Sequence, residues 1–134
     1  MMEAKMKHLE FVQTAIGRMS TSSFLFKGWA ITIATALSAF AATDRKRALF
    51  AIAVVTSFLF WGLDGYYLWL ERRFIRLYEK VLATPEERID FVMTPMKATI
   101  PWSWLRACFR PHLWAFYLTM MVIDTVGIFV VRSK

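Results

Sequence analysis

Cysteine, histidine, proline and glycine are all scarce in this chain of 134 residues, with one, two, four and five copies respectively. The lone Cys108 builds neither a disulfide framework nor a zinc site. Scattered glycines supply no phosphate-cradling loop, and no nucleophile elbow or metal-ligand cluster occurs. His8 and His112 stand apart, each beside an expected surface. The prolines are equally dispersed, and no linker, repeat or low-complexity tract divides the chain. Glu86, Glu87 and Asp90 form a small acidic group, but the start of a helix accounts for the glutamates. These absences argue against an enzyme: no catalytic residue, metal ligand or cofactor is implied.

Apolar residues, in contrast, make up 57% of the sequence and aromatics 16%, beside a formal net charge of +7. The aromatics exclude disorder. The apolar residues fall in blocks and the basic ones gather at block ends, which is the pattern of a membrane protein and gives no reason to expect nucleic acid as a partner. Three blocks approach the roughly 20 residues that cross a ~30 Å hydrocarbon core. They are 24–42, 48–67 and 113–131, the last within an expected helix over 112–132. The fold class is therefore all-α, with a transmembrane hairpin turning at Thr43–Arg47 and a third transmembrane helix. Ala39-Phe40-Ala41 resembles a signal-peptide cleavage site, but a 27-residue charged leader favours an uncleaved anchor.

Orientation follows from the basic residues. With the N-terminus inside, twelve Lys and Arg fall on the cytoplasmic side and five on the other, although Arg45, Lys46 and Arg47 in the turn oppose that bias. The expectation is a multi-pass protein of a bacterial inner membrane with a cytoplasmic N-terminus.

The segments outside the blocks are also helical in pattern. Met2, Met6, Leu9, Val12, Ile16 and Met19 mark an amphipathic helix over 1–23, ended by Ser20-Thr21-Ser22-Ser23, whose hydroxyls suit the N-cap of the next helix. This helix lies on the bilayer, docks on neighbouring subunits, or packs on the protein's own cytoplasmic helices. The second span continues without Gly or Pro to Leu82 and projects from the membrane. Thr84-Pro85-Glu86-Glu87 reads as a fresh, short helix start within a cytoplasmic or interfacial segment over 84–111. Trp29, Trp61, Trp69, Trp102, Trp104 and Trp114 read as interfacial anchors. Arg72, Arg73, Arg76, Arg106 and Arg110 mark a surface for lipid headgroups or a cytoplasmic protein partner.

Charges inside the blocks carry the functional expectations. Lys27 lies 18 residues before Arg45 and Asp64 lies 19 after it, so an antiparallel hairpin brings them to similar depth. They are expected to pair, within or between subunits, because each alone is costly there. Asp124 falls near the middle of the third block, where an aspartate costs roughly 2.5–3.5 kcal/mol. Thr35, Ser38, Thr56 and Ser57 are hydroxyls at comparable depth. Asp124 then lines a water-filled pore, carries a proton, or stays neutral and hydrogen-bonded between helices. Ala30, Ala34 and Ser38 form a small-residue face suited to helix contact.

Arg18-Met19, Ser23-Phe24-x-x-Lys27-Gly28-Trp29-Ala30-x-Thr32, Phe60-Trp61-Gly62-Leu63-Asp64-Gly65-Tyr66-Tyr67, Glu71-Arg72-x-Phe74 and Leu77-Tyr78 together resemble a group of small bacterial membrane proteins. Over residues 8–82 the layout is similar to the SLATT-type two-helix transmembrane effectors of bacterial conflict systems. That resemblance implies a hairpin plus cytoplasmic helix that oligomerises into a membrane-perturbing pore, and the third span departs from it. The expected function is a homo-oligomer that forms or gates a pore as a defence effector. The alternative is a non-conducting anchor for a cytoplasmic protein, and a small proton-coupled transporter is a third reading.

Overall fold

The computed structural model describes residues 2–97 and 102–132. Among these residues the fold is helical throughout, with no strand. Helix α1 runs over Met2–Asp44, α2 over Arg47–Ala83, α3 over Trp102–Cys108 and α4 over Pro111–Arg132; one 3-10 turn, Glu86–Arg88, follows α2. Helices α1, α2 and α4 are long and apolar enough to cross a membrane.

The hairpin turns in two residues. Arg45 adopts a left-handed backbone (φ 53°), and the Lys46 amide reaches back to the Ala41 carbonyl at 3.1 Å. That six-to-one hydrogen bond is the Schellman way of ending a helix, here without the usual glycine. It sends α2 back along α1. At 1.5 Å per residue the two helices are ~64 and ~55 Å long, about twice a hydrocarbon core. Helix α4, at ~33 Å, matches one core thickness.

Contacts fix where α4 lies. Leu113 and Tyr117 share a buried cluster with Ala30, and Asp124 meets Ser38. Tyr117 also meets Asp64, and Gly127 meets Phe50. Helix α4 therefore runs parallel to α1 and antiparallel to α2, against the half of the hairpin nearest the turn. A Cβ at Gly127 would overlap the Phe50 ring, so this glycine lets α4 close on α2. Outward-facing side chains in this half include Val55, Phe58, Leu59, Ile123, Val126 and Phe129, all more than half exposed. Such a surface suits hydrocarbon rather than water.

The other half of the hairpin projects beyond α4. Val12 packs there with Leu77 and Val81, flanked by Leu9, Ile16, Phe74 and Tyr78. Part of the N-terminal apolar stripe is thus used within the chain, whereas Met2 and Met6 remain exposed. Contrary to the expected break, α1 passes through Ser20–Ser23 without interruption. Ser23 turns its hydroxyl to Asp64 of α2 instead of capping a helix, and packing on α2 before and after it holds the rod continuous.

The expected helix from Thr84 is likewise replaced by the single 3-10 turn and an extended stretch to residue 97. Thr84 serves α2, donating its amide to Val81 O and its hydroxyl to Lys80 O. Beyond the turn, Phe91 is left-handed (φ 54°), which ends any helical run. Side chains of the hairpin then hold the stretch by its carbonyls: His8 Nε2 lies 3.1 Å from Val92 O, and Arg73 Nε donates to Met96 O at 2.7 Å. Tertiary hydrogen bonds replace the helical ones.

Helix α3 seats on α2 at Gly65, where a Cβ would overlap the Cys108 sulfur and lie 3.3 Å from Cys108 Cα. Three tryptophans complete the joint. Trp61 Nε1 donates to Cys108 O at 2.8 Å, Trp69 Nε1 to Ser103 Oγ at 2.7 Å, and Trp104 Nε1 to Gly62 O at 3.4 Å. These three rings tie helices together, a role beyond the anchoring expected of them. Trp29 and Trp102 keep the exposed placement of an anchor.

Candidate functional site

Two carboxylates are buried in the three-helix half, and their surroundings differ. Asp64 of α2 is fully buried. Its Oδ2 lies 2.6 Å from Lys27 Nζ of α1 and accepts from Tyr117 OH of α4 at 3.1 Å. Its Oδ1 accepts from Ser23 Oγ of α1, and Lys27 Nζ also donates to Ser23 Oγ at 3.0 Å. One carboxylate thus collects donors from both neighbouring helices. The formal charges cancel, and both oxygens are engaged, which is the condition for a buried ion pair to be tolerated. Lys27 and Asp64 meet within one chain. The Lys27 side chain retains 26% exposure, so the ammonium reaches the edge of the bundle while its partner does not.

Asp124 is seven residues, ~10 Å, further along α4. Ser38 Oγ donates to its Oδ1 at 2.5 Å. Its Oδ2 is buried and has no hydrogen-bond partner among the described residues. Neither ion pair between described residues includes Asp124. A groove of about 370 Å³ opens beside it between α1 and α4, lined by Ala34, Thr35, Ser38, Ala39, Met120, Ile123 and Asp124. The small side chains of α1 leave the space, and Asp124 is the one acidic residue among those that line it.

Of the hydroxyls expected near Asp124, the structure brings Ser38 into contact and Thr35 into the same groove. Thr56 and Ser57 belong to α2 and make no hydrogen bond to Asp124; Ser57 is buried with its Oγ unpartnered among the described residues. Ala30 and Ala34 are both buried, Ala30 against Leu113 and Tyr117. The small-residue face thus serves contact inside the chain first, with Ala34 and Ser38 continuing into the groove.

In the projecting half, Arg72, Arg73, Arg76 and Arg106 surround one cleft, while Arg110 is exposed at the joint between α3 and α4. Cys108 is buried, and burial, followed by the Asp64 charge, pushes its thiol up to about 11. A separate cavity of about 440 Å³ lies where the 89–97 stretch crosses the helices, with His8, Lys80, Arg88 and Asp90 in its walls. Among the described residues no cluster of His, Cys, Asp and Glu is placed to hold a metal.

Sequence reasoning did not name Ser23 and Tyr117 as partners of Asp64. Ser23 was within reach, because it lies four residues before Lys27 and so on the same helix face. Tyr117 was not, since its register against Asp64 depends on how α4 docks. No family model matches this chain, and no curated protein or solved structure matches it either.

Proposed function

We propose that this chain is a homo-oligomeric, multi-pass protein of a bacterial inner membrane that forms or gates a pore at Asp124. The observation behind this reading is the half-satisfied carboxylate beside an open groove. A carboxylate at mid-span costs roughly 2.5–3.5 kcal/mol, whereas a side-chain hydrogen bond within a membrane contributes about 0.6 and at most about 1.7. Ser38 alone leaves a deficit. Water in a central channel, or the same groove of a second copy, supplies what Oδ2 lacks. In a ring of copies the aspartates form an acidic constriction that favours cations. The Lys27–Asp64–Tyr117 cluster keeps the three helices of each copy fixed while the grooves meet. The twelve-to-five distribution of basic residues supports a cytoplasmic N-terminus. The resemblance of residues 8–82 to SLATT-type effectors supports a defence role, in which opening depolarises the cell.

Ion flux from liposomes holding the purified full-length chain tests this. Wild type releases monovalent cations, Asp124→Asn lowers cation preference, and Asp124→Leu abolishes flux at equal insertion. Tight wild-type liposomes, together with an undisturbed membrane potential in cells expressing the protein, would overturn the proposal.

A second reading, a non-conducting anchor for a cytoplasmic protein, draws on the projecting half. Met2, Met6, Phe11, Phe91 and Val92 are exposed there, and the 440 Å³ cavity lies in the same half. Co-purification of a stoichiometric partner, lost on shortening α1 before Val12, distinguishes it from the pore.

A further inference from the structure

The four arginines of the projecting half share more than a charge sign. Arg72, Arg73 and Arg76 rise from α2 and Arg106 from α3, around a cleft of about 50 Å³ that also includes Trp69 and Ser103. That space exceeds the ~30 Å³ share of one water in the liquid and admits one tetrahedral oxyanion. Arg73 is locked in place, with its guanidinium 4.6 Å from the centre of the Trp69 ring and its Nε bound to Met96 O. Trp69 is fixed in turn by Ser103. Arg72 Nη2 is buried yet has no hydrogen-bond partner among the described residues. Neither ion pair between described residues involves any of the four arginines. Four arginines line the cleft with no Asp or Glu among the described lining residues, and one of them holds a buried idle donor, so the cradle is suited to an anion. The rigid fork of arginine matches phosphate oxygens better than a point charge does.

We propose that this cleft binds a phosphate group. Its height supports an anionic phospholipid as the source. Arg106 lies five residues before the start of α4, and Arg72 lies eight residues, ~12 Å, beyond Asp64 on α2. The cleft is therefore just outside the three-helix layer, level with headgroups. This site is independent of Asp124 and of whether the protein conducts.

Native mass spectrometry of the full-length protein tests it, in nanodiscs of phosphatidylcholine with or without phosphatidylglycerol, and in detergent with millimolar inorganic phosphate. Wild type retains phosphatidylglycerol in preference to phosphatidylcholine. Arg72→Gln and Arg106→Gln each weaken retention about tenfold, the loss expected for a charge-assisted hydrogen bond, while Arg132→Gln at the far end of α4 leaves it unchanged. The exposed Arg106 carries the test should Arg72→Gln misfold. Saturable binding of inorganic phosphate that Arg106→Gln abolishes, without a preference between lipids, supports the same site with a soluble source. Equal retention by wild type, Arg106→Gln and Arg132→Gln, with no phosphate binding, would overturn the proposal.

Discussion

Lys27 of α1 and Asp64 of α2 stand 2.6 Å apart, and Tyr117 of α4 donates to the same carboxylate oxygen at 3.1 Å. This single cluster joins the three long helices. Breaking a buried pair from one side leaves an uncompensated charge and costs about 3–5 kcal/mol, whereas removing both partners together is often close to neutral. Asp64→Ala is accordingly expected to lose that amount of stability in thermal or denaturant unfolding in detergent. Lys27→Met loses at least as much, because it leaves the fully buried Asp64 carboxylate uncompensated, whereas Asp64→Ala leaves an ammonium partly open at the bundle edge. The double variant Lys27→Met/Asp64→Leu recovers much of the loss. Additive single effects would show that the two residues do not act as a pair.

Gly65 and Cys108 are predicted to be coupled. In wild type the thiol is buried and raised to about 11. At pH 8 it holds roughly two orders of magnitude less thiolate than a free cysteine of pKa ~8.5. Alkylation should thus be slow and rise about tenfold per pH unit towards 11. Gly65→Ala places a methyl on the sulfur and moves α3, so labelling at pH 8 accelerates sharply. Unchanged labelling would contradict the seating of α3 on α2.

His8 is predicted to hold the extended 89–97 stretch through Val92 O. His8→Ala removes that donor and the ring packed on Phe91, 5.4 Å between centroids. The hydrogen bond is only part-buried, so its loss costs about 1 kcal/mol and loosens the stretch locally. Limited trypsin digestion should then cut at Arg88 or Lys97 several-fold faster, with global unfolding little altered. Equal cleavage rates would assign the hold to Arg73 alone.

Much of the architecture is legible in the sequence because membrane spans are written in block length. The hairpin register is legible too, because Lys27 and Asp64 lie nearly equal distances from Arg45. What escaped was tertiary. Ser20–Ser23 has the composition of a helix boundary, yet packing along α2 overrides that local preference and carries α1 through. Thr84-Pro85-Glu86-Glu87 has the chemistry of a helix start, but His8 and Arg73, remote in sequence, capture carbonyls of the following residues. At the candidate site, Asp124 and Ser38 could be named from depth alone. That Thr56 and Ser57 make no hydrogen bond to Asp124 depends on the rotation of α2, which hydroxyl spacing does not report.

Oligomeric size in a lipid bilayer tests the role of Asp124 most directly. Mass analysis of the full-length protein in nanodiscs should give one discrete multimer. Cysteines placed at Thr35 and Ile123, with Cys108 replaced by Ala, should cross-link between copies along the Asp124 groove. Asp124→Leu should shift the population or its packing. A monomer at every protein-to-lipid ratio, with no cross-link between copies, would contradict a pore built around Asp124.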